Sequence, residues 1–196
     1  MTAEEDWLVP IDGDPLDGTE KFAGMGKSVV NFWQFALGDL RMNNARGYLA
    51  EFIVATALGI STKRVEWAGF DLDWQGVTIE VKSSAHLQSW KQRTPSKIAF
   101  SGLRAKRFAP DGGYSGERTY NADVYVFCVQ NVITHDAYDP LQVGQWEFYV
   151  ASNEQVSSSA QDGMALSTVK KIGAQSEPLR FHELAEAIRR VARERP

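Results

Sequence analysis

The chain has 196 residues, with 21 Lys and Arg against 25 Asp and Glu and a net charge of −4 at pH 7. This length fits one domain with short appendages, and an apolar share of 43% with 11% aromatic residues is enough for a real core. No apolar run approaches the roughly 20 residues of a membrane span, and the acidic N-terminus lacks the pattern of a secretion signal. The one cysteine, Cys128, excludes an intrachain disulfide and is expected to be a buried core thiol. We expect a compact cytoplasmic protein without membrane association.

Charge is distributed unevenly along the chain. Residues 1–20 contain seven acidic side chains and no Lys or Arg, which leaves 18 acidic against 21 basic residues in the rest. We therefore predict an acidic N-terminal arm over residues 1–26 and a single domain over residues 27–196. The arm is expected either to be flexible or to cover a basic groove and mimic phosphate. The net charge thus does not exclude binding of nucleic acid by the domain.

Two helices are predicted next, at Lys27–Leu37 and Asn44–Leu58, the second of which ends at a glycine cap. After Arg46, the only charge in the second helix is Glu51, and no Lys or Arg lies three or four positions from it. A nearly all-apolar helix is expected to be buried, and a buried carboxylate needs hydrogen bonds, a charge partner or a metal ion. Glu51 is therefore expected to join a metal site. The structural alternative is that it reaches solvent at the helix edge or pairs with Arg46 or a more distant base.

Residues 70–82 predict two short strands joined by a two-residue turn at Gln75-Gly76. That turn fixes a register in which Asp71 lies opposite Glu80. Opposed like charges are destabilising, so a cation is expected between or beside them. Mg²⁺ suits the position because it prefers oxygen ligands and is usually held by one or two carboxylates.

Side chains alternate across a strand, so Glu80 and Lys82 share one face of the second strand. Lys82 could position a water molecule or stabilise charge that develops on a phosphate. An ordinary amphipathic hairpin explains the same pattern, with Lys82 bridging Asp71 or Glu80 in solvent.

A basic stretch follows the hairpin and contains no acidic residue between positions 91 and 107. Such a patch beside a carboxylate site suits phosphate binding, although a solvated loop would have the same composition. Gln88 could orient DNA or water, or could be a surface residue. The candidate nucleic-acid contacts are Gln88, Lys91, Arg93, Lys97, Arg104, Lys106 and Arg107.

The remaining pattern predicts a buried central strand at residues 123–130 and an amphipathic helix at residues 179–193. Residues 96–101 could form a strand or begin a helix that continues through residue 107. Other expected elements are the start of the first strand at 64–67, a turn at 111–113, loops at 114–120 and 152–163, a strand at 146–151, and a helical turn at 167–172.

The set formed by Glu51 on a helix, then Asp71, then Glu80-Val81-Lys82 on a hairpin resembles the restriction-endonuclease-like PD-(D/E)XK nuclease superfamily. The strict Pro-Asp dipeptide of that motif is absent, and Asp73 is a rival for the role of Asp71. A wider similarity, over roughly residues 28–192, resembles an uncharacterised bacterial branch of the superfamily. It rests on segments 31–36, 39–40, 46–47, 81–90, 122–127, 139–141 and 145–150.

The resemblance implies an α/β fold, with a central mixed sheet flanked by helices, and a Mg²⁺-dependent endonuclease in which Mn²⁺ could substitute. It implies that Asp71, Glu80 and the carbonyl of Val81 hold the metal ion, and that Glu51 binds through water or at a second ion. Lys82 would orient or help deprotonate the attacking water. The expected partner is nucleic acid, with DNA preferred over RNA, and a homodimer is compatible with this fold. A non-catalytic module that binds nucleic acid or protein is the alternative, and a nuclease that needs a partner protein is a third.

Overall fold

The computed structural model describes residues 13–64, 68–108, 113–173 and 177–194, and the chain divides into two compact units, residues 1–38 and 39–196. The smaller unit contains the first helix, α1, at Val29–Leu37. Asn31 accepts a hydrogen bond from the Ser28 amide through Oδ1 at 3.1 Å, which caps the start of α1. Of the predicted acidic arm, residues 1–12 lie outside the described residues.

The larger unit is built on a four-stranded sheet with the order β1-β2-β6-β7. The strand pair β2 and β6 is parallel and the other two pairs are antiparallel, so the sheet is mixed and the predicted α/β class is confirmed. Two further strand pairs, β3 with β8 and β4 with β5, lie outside this sheet. The elements are α2 (Asn43–Leu58), β1 (Leu72–Trp74), β2 (Val77–Ala85), β3 (Ala99–Ser101), β4 (Ala105–Phe108), β5 (Tyr114–Thr119), β6 (Val124–Gln130), β7 (Trp146–Ser152), α3 (Asn153–Ser157), β8 (Gly163–Ala165), α4 (Leu166–Ile172) and α5 (Phe181–Arg193).

The core consists of two apolar clusters that share strands β6 and β7. In the first cluster, α2 and α5 pack against alternate residues of the sheet, including Ile79 and Val126. In the second, the opposite side chains of β6, such as Tyr125 and Phe127, pack with β3, β8 and α4. Strand β6 is buried along its whole length, as its nearly continuous apolar run predicts. Cys128 lies in this strand, is fully buried as expected, and has the pKa of its thiol raised by burial.

Several other predicted elements are confirmed. Helix α2 ends at Gly59, whose φ of 71° lies in the left-handed region that favours glycine. Helix α5 buries the predicted apolar stripe, which includes Leu184 and Ile188. Strand β7 and helix α4 also lie where the pattern predicts them. In the described ranges, no helix is long and apolar enough to cross a membrane.

Two predicted loops are wrong, and one open alternative is decided. Of the two alternatives for residues 96–101, the strand forms, as β3. Residues 114–119 form strand β5 instead of a loop, and residues 105–108 form strand β4 rather than the end of a helix. These two strands pair as an exposed ribbon without the apolar alternation that marks a half-buried strand. The predicted loop at 152–163 contains helix α3, which begins where Ser152 and Gln155 form a reciprocal capping box. The first described strand begins at Leu72, while residues 65–67 and 111–112 lie outside the described part of the chain.

Candidate active site

The hairpin of β1 and β2 has the register that the sequence predicts, with Trp74 opposite Val77. The turn residues Gln75 and Gly76 have φ values of 53° and 80°, and positive φ at both positions is what a two-residue type I′ turn requires. Asp73 accepts a hydrogen bond from the Gly76 amide at 3.0 Å, so its carboxylate supports the turn. Asp73 is also exposed and lies opposite Thr78, so it suits the metal site less well than Asp71 does.

Asp71 immediately precedes β1 and is tied to β2 at two points. Its backbone N–H donates to the carbonyl of Ile79 at 3.0 Å, and its Oδ2 accepts a hydrogen bond from the Val81 N–H at 2.7 Å. Removal from water raises the pKa of the Asp71 carboxyl, although the Val81 N–H and the charge of Lys82 act in the opposite direction. The carboxylate is thus fixed in orientation against the strand that carries Glu80.

Glu80 and Lys82 project from the face of β2 opposite to Ile79 and Val81, which pack with α2. Lys82 Nζ lies 2.6 Å from Glu80 Oε1, and the two side chains are only 22% and 17% exposed. Burial, together with the nearby charge of Asp71, raises the pKa of Glu80 to about 7 in spite of the Lys82 ammonium. The predicted bridge of an ordinary hairpin therefore exists, but it forms away from bulk solvent.

Glu51 is buried on α2 and pairs with Arg64, a base that lies 13 positions later in the chain. Arg64 Nε is 2.6 Å from Glu51 Oε2, and Arg64 Nη2 is 3.3 Å from Oε1. Burial raises the pKa of Glu51, and the charge of Asp71 acts in the same direction. Of the sequence alternatives, pairing with a distant base is thus realised. The charge of Lys82 acts on the pKa of Glu51 in the opposite direction to that of Asp71.

The donor groups of this site are all oxygens, which is the chemistry that Mg²⁺ prefers. Among the described residues, no three Asp, Glu, His or Cys side chains are gathered closely enough to hold a metal ion by themselves. A Mg²⁺ ion is usually bound by one or two carboxylates plus water and substrate phosphates, so Asp71 and Glu80 are sufficient in number. The residues present therefore fit one Mg²⁺ ion, whose charge would offset the cost of ionising two buried carboxyl groups.

Gln88 is buried and makes hydrogen bonds within the protein. Its Nε2 donates to the carbonyl of Ala85 at 3.0 Å, and its Oε1 accepts from Arg46 Nη1 at 3.3 Å. The amide therefore connects the end of β2 to α2, and the alternative of a surface glutamine is wrong.

The basic stretch runs past the hairpin residues. A Cβ atom at Gly102, where φ is +67°, would lie 3.8 Å from Lys82 Nζ, so the backbone that enters β4 passes close to this lysine. A Cβ atom at Gly69, two residues before Asp71, would lie 3.7 Å from Cγ of Arg107. Arg104 is partly exposed and donates to the carbonyl of Arg118 at the base of the ribbon. The other predicted contacts from this stretch are exposed, namely Lys91, Arg93, Lys97, Lys106 and Arg107.

Two basic residues escape the sequence prediction, one that pairs with Glu51 and one on the ribbon. Arg64 could be found only by the contact with Glu51, because helical spacing does not join positions 51 and 64. Arg118 lies in β5, which the sequence leaves as loop, and its guanidinium bonds to Asp162 Oδ2 at 2.9 Å. No signal in the sequence pattern marks either residue.

The raised pKa of Glu80 predicts a pH dependence of stability in the absence of divalent ions. Its pKa rises from a usual value of 4.5 to about 7 in the folded state, so the folded protein binds more protons than the unfolded chain between these pH values. The free energy of unfolding contributed by Glu80 therefore falls as pH rises through this window.

We expect Glu80→Gln to remove this contribution. The melting temperature of the variant minus that of wild type should increase by roughly 2 °C or more from pH 5 to pH 8. A change of about 1 kcal/mol in unfolding free energy shifts the melting temperature by about 2–4 °C in a protein of this size. Thermal unfolding of both proteins in EDTA measures the difference. An unchanged difference across the pH range would mean that Glu80 ionises normally.

A family model described as bacteriophage T4 endonuclease IV matches residues 36–168, which is about two thirds of the chain and includes Glu51, Asp71, Glu80 and Lys82. No curated protein and no solved structure matches the chain. The chain belongs to the bacteriophage T4 endonuclease IV family and is a DNA endonuclease.

Proposed function

We propose that this endonuclease hydrolyses phosphodiester bonds of DNA with one Mg²⁺ ion at Asp71 and Glu80. One observation carries the proposal. The hairpin brings two partly buried carboxyl groups and a lysine together, and burial with mutual repulsion raises the pKa of Glu80 to about 7. Perturbed carboxyl groups beside a cation are typical of functional sites. A Mg²⁺ ion would favour the ionised form of both groups.

In this proposal Asp71, Glu80 and the backbone carbonyl of Val81 hold the ion, and Glu51 binds through water or at a second ion. When bound, the ion lowers the pKa of a coordinated water and polarises the scissile phosphate. The Val81 N–H orients Asp71, with the 2.7 Å hydrogen bond leaving the carboxylate little freedom to rotate. Lys82 orients the attacking water, or helps to deprotonate it, and its charge stabilises the phosphate as negative charge develops.

The resemblance to the PD-(D/E)XK superfamily belongs to the same proposal. It is supported by the chain order of a helix with Glu51, an antiparallel hairpin with Asp71 and Glu80-Val81-Lys82, and a parallel neighbour for the motif strand. The mixed four-stranded sheet with helices α2 and α5 on one face is also compatible with that superfamily.

The ribbon of β4 and β5 is the proposed track for the DNA backbone. The ribbon begins three residues after Gly102, the glycine whose backbone passes close to Lys82. It carries the exposed side chains of Lys106 and Arg107. Lys and Arg on an exposed two-stranded ribbon suit contacts with phosphates on either side of a groove. Lys91, Arg93 and Lys97 would extend this positive surface away from the ribbon.

A metal titration tests the site. Mg²⁺ near 100 times its dissociation constant would stabilise a protein that binds it only when folded by about 2.7 kcal/mol, so we expect the melting temperature of wild type to rise by about 5 °C or more. The rise should be lost in Glu80→Gln and retained in Glu186→Gln, which neutralises an exposed glutamate on α5. DNA cleavage should require Mg²⁺ or Mn²⁺ and stop in EDTA. Cleavage at full rate in EDTA, or an equal rise in Glu80→Gln, would reject the proposed metal site.

Membership of an endonuclease family favours an enzyme over the non-catalytic module that the sequence also allowed. Dimerisation, a partner protein and a cytoplasmic location stay predictions.

A further inference from the structure

A cavity of about 270 Å³ opens beside Glu51, on the outer side of α2. The loop that follows α2 and the start of β1 complete its walls. Its principal lining residues are Tyr48, Glu51, Phe52, Ile60, Arg64 and Leu72.

Two aromatic side chains of this cavity are exposed on a helix that the sequence predicts to be buried. Tyr48 and Phe52 lie four positions apart, so they are neighbours on one face of α2. Tyr48 is 43% exposed and Phe52 is 66% exposed, whereas Ile53 and Val54 on the other face are buried. Adjoining exposed aromatic rings beside a cavity form a surface on which a flat ligand can stack.

The cavity borders one of the proposed catalytic groups and adjoins a second cavity that is lined by another. Glu51 forms part of its wall, and Arg64 spans from the Glu51 carboxylate to the Tyr48 ring, with its guanidinium carbon 5.0 Å from the ring centre. On the other side, a second cavity of about 240 Å³ is lined by Asp71 and shares Ile60, Thr62 and Leu72 with the first. A molecule in the cavity would therefore contact Glu51 directly and lie one cavity away from Asp71.

We propose that this cavity binds one unstacked nucleobase of the DNA strand whose phosphate lies at Asp71 and Glu80. The proposal rests on the proposed function, which places that phosphate at the hairpin. Phe52 stacks on the face of the base, since every base has a π-face, and Tyr48 with the Arg64 plane forms the adjoining wall. The polar rim, formed by Ser61, Thr62 and Arg64, offers hydrogen bonds to the edge of the base.

A nucleobase fits these observations better than an apolar ligand or a peptide side chain. The walls combine aromatic faces with an arginine and two hydroxyl groups, and stacking with edge hydrogen bonds is how proteins hold bases that have left the helical stack. The cavity volume is close to the lower limit for small-molecule sites, which suits a single ring system better than a larger ligand.

The experiment uses a DNA oligonucleotide with one mapped cleavage position and a series in which each flanking nucleotide is made abasic in turn. Wild type should lose about tenfold to a hundredfold in kcat/KM for one abasic position, in line with the usual effect of removing a base–aromatic stack. On intact DNA, the kcat/KM of Phe52→Ala should be lower than that of wild type by a similar factor. On the abasic DNA that affects wild type, the variant should lose little further activity. Phe52→Trp should restore the preference for the intact base, and Phe181→Ala, which removes an exposed phenylalanine of α5, should behave as wild type.

Binding is measured separately, in Lys82→Ala proteins with 2-aminopurine at the sensitive position. Stacking should quench its fluorescence when Phe52 is present and not in the Phe52→Ala, Lys82→Ala double variant. Equal abasic sensitivity of wild type and Phe52→Ala, or equal quenching in both proteins, would overturn the base site. Full cleavage by Lys82→Ala would instead reject the proposed catalytic site, while the quenching difference would still report on the base.

Discussion

Lys82→Ala is expected to lower kcat for DNA cleavage by about 100-fold to 10,000-fold, the usual range for loss of a group that assists proton transfer. Lys82 Nζ lies 2.6 Å from Glu80 Oε1. In the proposed mechanism the lysine orients or helps to deprotonate the attacking water and stabilises the negative charge that develops on the phosphate. Its removal should leave DNA binding largely intact, because the exposed lysines and arginines of the basic stretch remain. Single-turnover cleavage and DNA affinity, measured on the same preparation, separate the two effects.

Lys97→Ala is the matched control for this change. Lys97 is exposed and lies in the same basic stretch, so its loss should weaken binding slightly and leave kcat near that of wild type. A Lys82→Ala protein that cleaves within a few-fold of wild type would show that the chemistry occurs elsewhere.

Two substitutions of Asp71 are expected to separate metal binding from support of the fold. In wild type the Val81 N–H donates to Asp71 at 2.7 Å. Asp71→Asn keeps an oxygen that can accept this hydrogen bond but removes the negative charge that would bind Mg²⁺. We expect it to melt within a few degrees of wild type and to lose Mg²⁺-dependent cleavage by about 100-fold or more, comparable to loss of a charged group that acts on the transition state.

Asp71→Ala removes the acceptor as well. The Val81 N–H would then lack its partner beside the core, which costs about 1–3 kcal/mol of unfolding free energy in addition to the loss of cleavage. Thermal melts and cleavage assays of the two variants side by side measure both effects. If Asp71→Asn cleaved DNA normally and Asp71→Ala only lost stability, Asp71 would be a structural residue and Asp73 or another group would have to bind the metal.

The hairpin could be predicted from the sequence because its information is local. A glycine in a two-residue turn and a period of two in the flanking residues are enough to fix the register, and Trp74 pairs with Val77 as expected. The catalytic face of β2 follows from the same alternation. The buried strand β6 and the amphipathic helix α5 are also marked by patterns within a short window.

Contacts between distant residues could not be predicted in this way. Arg64 pairs with Glu51 across 13 positions and a loop, so no helix or strand period connects them. The exposed face of α2 also escapes prediction, because Tyr48 and Phe52 read as core residues when the helix is assumed to be buried all round. The β4–β5 ribbon lacks a buried face, and its strands therefore carry no hydrophobic period.

Strand β2 presents core residues and proposed catalytic residues in strict alternation, with Ile79 and Val81 in the apolar cluster and Glu80 and Lys82 on the opposite face. A slip of the strand by one position would turn both charged groups toward the apolar cluster with α2 and both apolar groups toward the face that carries the proposed site. The free energy that protects the fold against misregistration therefore also protects the alignment of the reactive groups. Errors in this strand should yield unfolded chains rather than a folded nuclease with a misaligned and indiscriminate site.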